Sequence, residues 1–305
     1  MTTPTPAIAP YVPTYATYTP YISVEEFLTG ATGVDVSQLV PNNSSMTQEQ
    51  ALLDIIARAS SKADEICRKP LAATIDVQAD EYRIFRDGTL RIPVDYKPIV
   101  AVTAVSLGRV SGSLTAMTDL SGLYIKRKIV RVPVRGIGQS AAFFSQNPHA
   151  AASPGHMFAQ VTYVNGWMHS VLAADVIAGA SEISPQSVVG AVAGLPITIK
   201  DGAATESAVI DASYVYGSAT VPLAAPLQNA HPAGTTVSAL PPFVKDAVIN
   251  LTKSIVKSKG TKAIVMGSVK GQTVSNAPKT QKTDPGGDED FKAAKETLLT
   301  LRRAA

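Results

Sequence analysis

The stretch TQEQALLDIIARASSKADEICRK, residues 47–69, carries the clearest secondary-structure signal in the chain. Thr47 and Gln50 have the spacing of a capping box, in which two side chains satisfy backbone amides at a helix start. Apolar residues then recur every three to four positions, the period of a buried helix face, and Pro70 ends the pattern. The stripe consists of Leu52, Ile55, Ile56, Ala59, Ala63, Ile66 and Cys67. We predict an amphipathic helix packed against other elements, with Cys67 as a packing residue.

Three further helices are predicted on either side of this one. Ser23 and Glu26 form a second capping-box pattern before a short helix that Gly30 ends. Pro241 and Pro242 pre-set the first turn of a later helix. Asp288 begins the last one. The stripes of the two later helices contain Val244, Ala247, Val248, Leu251 and Ile255, and then Phe291, Ala294, Leu298 and Leu301.

Between these helices the apolar period changes to two, which is typical of strands. Asp87-Gly88 marks the turn of a hairpin, and further strands are predicted over 100–107, 124–134 and 159–167. Residues 171–240 differ in composition, with Lys200 as the one basic side chain, and their short runs separated by turns resemble a small β module. We predict an α+β protein with a small helical bundle core, a β-hairpin extension and an inserted all-β module.

The predicted organisation has four parts. Residues 1–22 form an extended arm rich in Tyr and Pro, 23–170 the helical core and β extension, 171–240 the β module, and 241–305 the C-terminal helices with a basic loop. Proline at this density favours extended backbone, and tyrosines supply rigid contact area. The arm's candidate contacts are Tyr11, Tyr15, Tyr18 and Tyr21. A disordered leader is the alternative interpretation.

Composition excludes several classes of protein. Hydrophobic residues make up 45% of the 305 residues and charged residues 17%, below the roughly 25% charged content of an average soluble domain, so we expect much neutral surface. No uncharged apolar run reaches the roughly 18 residues of a membrane helix, and no secretory signal pattern opens the chain. The single cysteine excludes an internal disulfide. We expect cytosolic synthesis and no membrane contact.

Two groups of basic side chains stand out from a net charge of only +3. Residues 243–305 hold 12 basic and 6 acidic side chains, including eight lysines from Lys245 to Lys282. The second group lies on the predicted strand 124–134 and consists of Lys126, Arg127, Lys128, Arg131 and Arg135. Each group can meet phosphate or an acidic protein surface. A solvated loop and a solvated strand face are the alternatives.

No local motif for catalysis, metal or cofactor binding is found in the sequence. The four histidines are scattered without metal-ligand spacing. Gly136-Ile-Gly138 lacks the following helix and the acidic residue of a dinucleotide site, and Gly267–Gly271 lacks the spacing of a phosphate-binding loop. We predict a non-enzymatic protein without cofactors.

The order of these segments resembles the head-to-tail adaptor (connector) proteins of tailed double-stranded-DNA phages. The resemblance rests on a Ser-Val-Glu-Glu-Phe-Leu opening, the long helix ending Cys-Arg-Lys-Pro-Leu, the hairpin at Arg86-Asp-Gly88, the Val161–Gly166 strand, and the two C-terminal helices. It covers residues 23–107, 159–167 and 241–303. The arm and the β module depart from the compact family pattern.

The resemblance implies a virion structural protein, a twelve-subunit ring in the neck between the portal and a stopper or tail-terminator protein, with genome DNA passing through its lumen. The resemblance also implies that the ring assembles in the host cytoplasm. The implied portal-docking candidates are Lys253, Lys257, Lys259, Lys262, Lys270, Arg302 and Arg303. The basic residues at 126–135 are lumen or inter-subunit candidates. The alternatives are a carbohydrate-binding or adhesion module and a nucleic-acid-binding protein.

Overall fold

The computed structural model describes residues 19–30, 32–37, 39–40, 45–126, 128–134, 155–258 and 287–303. The helices are α1 (Val24–Thr29), α2 (Gln48–Cys67), α3 (Pro242–Ser258) and α4 (Gly287–Arg303). The first seven strands are β1 (Thr74–Arg83), β2 (Thr89–Pro93), β3 (Ile99–Val110), β4 (Ser113–Ala116), β5 (Tyr124–Lys126), β6 (Ile129–Pro133) and β7 (His156–Asn165). The remaining strands are β8 (His169–Val171), β9 (Glu182–Ile183), β10 (Pro196–Lys200), β11 (Glu206–Val209), β12 (Val221–Pro222) and β13 (Thr236–Ser238).

The predicted helical-bundle core with a hairpin extension is wrong. The described residues are mostly β-structure, in four antiparallel sheets, with four helices. Two of the three hydrophobic clusters are built by strands, and the helices build the third. The error arose because helix periodicity is strong within one segment, whereas two sheets acquire a core only when strands distant in sequence pair.

The helices pack around one cluster, which we call the helical cluster. Helix α2 begins at the predicted capping box, with Thr47 and Gln50 bonding each other's backbone amides. Its apolar stripe packs on α3 and α4, and Cys67 is buried near the end of that stripe. Arg68 takes the left-handed conformation at the C-cap, where its amide bonds Asp64 and Glu65 carbonyls.

Helix α1 uses only half of its predicted capping box. The Ser23 side chain accepts from the amide of Glu26 at 3.0 Å. The Glu26 carboxylate instead turns toward two lysines, with Oε1 3.4 Å from Nζ of Lys245 and 3.9 Å from Nζ of Lys200. Glu26 therefore links α1 both to α3 and to strand β10.

Strands β1 to β7 form a two-layer sandwich. One sheet has the order β1-β7-β3-β4 and the other the order β2-β6-β5. Their facing sides bury a common core that includes Leu90, Val130, Val161 and Tyr163. Alternation along each strand sends the intervening side chains outward. The sandwich consequently has two outer faces, one on each sheet.

Strands β8 to β13 form the β module. A sheet of order β11-β10-β13-β8 and the pair β12-β9 enclose a third core around Ile199 and Val237. His231 is buried inside it, with Nδ1 3.2 Å from Asp201 and Nε2 2.7 Å from Glu206. The two carboxylates hold the imidazole on both sides, so His231 cross-links the residue after β10 to the start of β11.

The sandwich, the helical cluster and the β module meet at two glycines. Gly166 has φ of 90°, and a Cβ there would lie 2.7 Å from the carbonyl oxygen of Ala72. Gly190 has φ of 87°, and a Cβ there would lie 2.5 Å from Cβ of Ala73. A side chain at either position would push these segments apart. The buried Lys69 adds a bond to the carbonyl of Lys97 at the same junction.

Candidate functional site

The basic residues predicted on one strand lie on a hairpin instead. The segment 124–134 forms β5 and β6 rather than a single strand, with the turn between Lys126 and Ile129. This fold-back places Tyr124 directly opposite Arg131. Lys126 and Lys128 are exposed beside the turn, whereas Arg127 and Arg135 lie outside the described residues.

Pairing of β6 with β2 completes a row of four side chains. Arg131 lies opposite Arg91, and the Arg91 guanidinium sits 3.9 Å from the ring centroid of Phe85. At the other end, the Arg131 guanidinium is 6.0 Å from the ring centroid of Tyr124. We call the set Phe85, Arg91, Arg131 and Tyr124 the arginine row. Each guanidinium is attracted to an aromatic ring, and the two arginines are directly opposite each other in the register of β2 and β6.

The side chains of the arginine row point away from the sandwich core, because side chains alternate regularly between the two faces of β2 and β6. Leu90 and Ile92 on β2, and Val130 and Val132 on β6, point into the sandwich core. The intervening arginines must therefore face the other way. Two like charges directly opposite each other across antiparallel strands destabilise the pair. The Nε atoms of both arginines are buried without a hydrogen-bond partner among the described residues.

Asp87 holds one end of the row in place. Its Oδ2 is 3.1 Å from Nη2 of Arg91, and its Oδ1 accepts from the amide and hydroxyl of Thr89. The Thr89 hydroxyl, followed by Arg91, lowers the pKa of Asp87 to about 2. The carboxylate thus stays ionised and fixes the position of the Arg91 guanidinium.

Further cations flank the row, at the end of β1, in the turn before β2 and around the turn between β5 and β6. Arg83 and Arg86 line a shallow depression together with Phe85, Asp87 and Arg91. Lys126 and Lys128 lie at the opposite end of β5 and β6. We call this surface, from Arg83 and Arg86 through the arginine row to Lys126 and Lys128, the basic face. Guanidinium and ammonium groups arranged in this way can bind phosphates or carboxylates.

The outer face of the other sheet has the opposite character. Strand β1 turns Ile75 and Val77 outward, 54% and 58% exposed, and turns Asp76 and Gln78 toward the sandwich. The Gln78 side chain there bonds the carbonyl of Pro93 and the amide of Asp95. The outward residues around them are uncharged as far as Glu81, which lies opposite Phe158: Ala79, Ala101, Ala104, Ser106, Phe158, Gln160 and Thr162. We call this surface the apolar face.

The portal-docking candidates are distributed over several environments. Lys253 and Lys257 both pair with Asp290 of α4, at 3.0 and 2.5 Å, and so tie α3 to α4 within the chain. Lys259, Lys262 and Lys270 lie outside the described residues. Arg302 is exposed near the end of α4, and Arg303 is its last residue. Among the described residues, Arg302 is therefore the portal-docking candidate that is exposed and not paired with Asp290.

Of the four arm tyrosines, the structure describes Tyr21, which is buried within its own chain. Its hydroxyl donates to Oδ1 of Asp64 at 2.6 Å and accepts from the amide of Leu71 at 3.0 Å. Its amide donates to Ser60. Tyr21 is therefore a core residue rather than a contact for a neighbouring subunit. Tyr11, Tyr15 and Tyr18 lie outside the described residues.

Two titratable groups that could have been reactive are shielded by burial. Burial raises the pKa of the Cys67 thiol to about 11, in agreement with its interpretation as a packing residue. Burial lowers the pKa of His169 to about 4. In the described ranges no cluster of three His, Cys, Asp or Glu side chains has the geometry of a metal site. No described helix is both long and apolar enough to cross a membrane.

Sequence reasoning missed Arg91, Phe85 and the apolar face. Arg91 becomes significant only when β2 pairs with β6, a register that the sequence does not encode locally. A signal for the apolar face was present in the alternation of residues 74–79, where Ile75, Val77 and Ala79 share one side of the strand.

Comparisons of the chain with protein-family models, with curated proteins and with solved structures give no match.

Proposed function

We propose that the chain is a structural subunit of the neck of a tailed double-stranded-DNA phage. In this proposal it acts as a head-to-tail adaptor, forming a ring between the portal and a stopper or tail-terminator protein, with genome DNA passing through the ring. The order of sequence segments described above is the basis for the family. The two outer faces of the sandwich support a subunit that contacts other molecules on two sides.

The apolar face is the observation that carries the proposal. In a free monomer, a strand at the edge of a sheet would expose its polar side chains and bury its apolar ones. Strand β1 does the reverse, with Ile75 and Val77 out and Asp76 and Gln78 in. Exposed apolar surface on an edge strand favours association with another chain. A second copy of this chain is the occupant that a ring requires.

A ring needs the neighbouring copy to use a different surface. When one patch contacts an unlike patch on the next copy, the contact repeats and closes into a ring if the rotation allows. The apolar face covers one sheet of the sandwich, so the opposite basic face stays free to meet another partner. This arrangement lets each subunit bind its neighbour and still present positive charge elsewhere.

Native mass spectrometry of the purified chain, alone and mixed with the portal protein encoded by the same genome, tests the proposal. We expect a monomer or a loose mixture in isolation and a complex with twelve copies on the portal. Fixed stoichiometry with portal in purified particles would add support. A stable closed dimer that does not bind the portal protein would contradict the adaptor proposal.

A nucleic-acid-binding protein outside a virion is the second candidate, and the basic face favours it. Such a protein would bind DNA without binding the portal, so the same experiment separates the two candidates.

The structure does not favour a carbohydrate-binding module. Trp167, the single tryptophan, packs against the helical cluster and does not offer an exposed ring on which a sugar could stack.

A further inference from the structure

We infer that the basic face binds the phosphate backbone of double-stranded DNA, with a phosphate held between Arg91 and Arg131. The inference deepens the proposed function, on which it rests for DNA as the source of phosphate. The binding site itself is argued from the described side chains alone.

The first step is the unfavourable placement of the two arginines. Arg91 and Arg131 are directly opposite on neighbouring antiparallel strands, about 5 Å apart at Cβ in such pairs. Two cations held this close repel each other, and Asp87 forms an ion pair with Arg91. An anion bound between the two guanidiniums would remove the repulsion. Local conflicts of this kind, retained in an otherwise regular sheet, mark functional positions.

The second step is the number and spacing of the cations. The five-residue strands β2 and β6 span about 16 Å. Over that length of helix axis one strand of a DNA duplex presents about five phosphates. The basic face carries cations at both ends and in the middle, so it can follow the backbone over this distance. These cations are Arg83, Arg86, Arg91, Arg131, Lys126 and Lys128.

The third step concerns the aromatic rings, which decide between backbone and base contacts. Proteins that bind single strands stack bases on exposed aromatic faces. Here the face of Phe85 is covered by the Arg91 guanidinium at 3.9 Å, and Arg131 lies toward Tyr124. The covered face of Phe85 therefore orients the Arg91 guanidinium instead of receiving a base, while Tyr124 stays 57% exposed. Recognition of this type depends on phosphate and not on base sequence.

The direct test measures binding of a fluorescein-labelled 24-base-pair duplex by fluorescence anisotropy over a series of KCl concentrations. The double variant Arg91→Gln/Arg131→Gln should bind at least tenfold more weakly at low salt. The slope of log affinity against log salt should become less steep by about 0.9, because the variant loses the one phosphate contact that Arg91 and Arg131 share. An unchanged affinity and slope would overturn the inference.

A matched control removes two other exposed cations. Arg58→Gln/Lys62→Gln changes the net charge equally on α2, where Arg58 pairs with Asp54 and Lys62 with Glu65. This variant should keep its affinity within about threefold. An equal loss in both double variants would mean that only net charge matters, and the inference would fail. Circular dichroism melting of each variant verifies folding.

The conservative variant Arg91→Lys/Arg131→Lys keeps both charges. It should restore the salt slope, because lysine still neutralises phosphate as a point charge. If the lysine variant binds as poorly as the glutamine variant, contact with backbone phosphate is not the source of affinity.

Three competitors identify the ligand. Unlabelled duplex should displace the probe, whereas inorganic phosphate should do so only at far higher concentration, because it offers one contact rather than several. A single strand of equal length that binds much more tightly than the duplex would indicate base stacking and overturn the backbone assignment. Polyglutamate of equal charge binding as tightly as duplex would instead assign the basic face to an acidic protein.

The outcomes for DNA and for assembly are separable. Duplex binding lost specifically in the Arg91/Arg131 variant, together with no complex on portal, supports this inference and contradicts the proposed function. If the chain forms a complex with the portal but binds no duplex DNA, the proposed function is supported and this inference is contradicted.

Discussion

The imidazole of His169 donates a hydrogen bond from Nε2 to the carbonyl oxygen of Pro20 at 2.9 Å. A carbonyl only accepts, so in the neutral ring Nε2 carries the proton and Nδ1 accepts from the hydroxyl of Ser238 at 3.0 Å. Tyr21 packs edge-on against the same ring, with 5.4 Å between centroids. His169 on strand β8 thereby fixes the segment that leads into α1.

This buried histidine should make the folded chain less stable in mild acid. Burial, with a contribution from the charge of Lys245, lowers the pKa of His169 to about 4, against about 6.5 in an unfolded chain. Between these values the unfolded chain binds a proton that the folded chain does not. The free energy of unfolding therefore decreases as the pH falls from about 6.5 to about 4, by at most about 3 kcal/mol. Thermal denaturation between pH 7 and pH 4 measures the effect.

His169→Gln removes the titration and should flatten this pH dependence, whereas His156→Gln on strand β7 should keep it. A His169→Gln variant that loses stability with acid as steeply as the unmodified chain would show that another group is responsible.

His231→Ala should destabilise the β module by about 3 kcal/mol. The substitution removes the side chain that lies between Asp201 and Glu206 and leaves a cavity beside both carboxylates. Removing the hydrogen-bond partner of a buried polar group has costs of up to this size. Urea denaturation monitored by tyrosine fluorescence gives the change. Glu206→Gln should cost less, because an amide oxygen still accepts from the ring. Equal stability of His231→Ala and the unmodified chain would contradict the assignment.

Ile75→Thr/Val77→Thr should weaken assembly without unfolding the monomer. Threonine keeps the β-branched shape that suits a strand, and both side chains are more than half exposed, so the isolated fold loses little. Burial against a neighbour would be worth about 1 kcal/mol or more for each residue, and a ring multiplies that loss over its interfaces. Sedimentation velocity in the presence of portal measures the complex.

The matched control for this pair is Ile177→Thr/Val215→Thr, at positions in the β module that are 75% and 73% exposed. This control variant should assemble on the portal as the unmodified chain does. If both pairs of substitutions reduce assembly equally, the apolar face has no special role.

Lys257→Glu should destabilise the chain by itself, before any partner is considered. The substitution replaces an ion pair with Asp290 by two like charges between α3 and α4. We expect a loss of about 1 kcal/mol that diminishes with added salt, measured by thermal denaturation. Lys259→Glu/Lys262→Glu, which leaves the Asp290 pairs intact, is therefore the sharper variant for portal binding. No loss of stability in Lys257→Glu would leave Lys257 available for docking.

The helices were predictable because their signals are local. Thr47 with Gln50 and the stripe after them placed α2 within two residues of its observed end. Pro242 marked the start of α3, and Asp288 was one residue away from the start of α4 at Gly287. The hairpin at Asp87-Gly88 was predictable for the same reason, since Gly88 has the positive φ of 74° that the turn requires.

The sandwich and the basic face were not predictable in this way. The sequence interpretation joined Tyr124 to Val134 as one strand, whereas a turn after Lys126 folds it back. The pairing of Arg91 with Arg131 depends on contacts about 40 residues apart in sequence. Tyr21 was assigned to an arm because its Pro-rich surroundings look extended, although its side chain is buried and its hydroxyl donates to Asp64.

The position of both β units between α2 and α3 has a consequence for synthesis. Helix α2 ends at Cys67 and α3 begins at Pro242, about 175 residues later. At about 5–20 residues per second, a ribosome needs roughly 10–35 seconds to cover that distance. During this interval the apolar stripe of α2 has no α3 to cover it, whereas all strands of the sandwich are present once β7 has been synthesised up to Asn165. We expect the nascent chain to depend on chaperones most strongly in this window, with closure of the helical cluster as its last folding event.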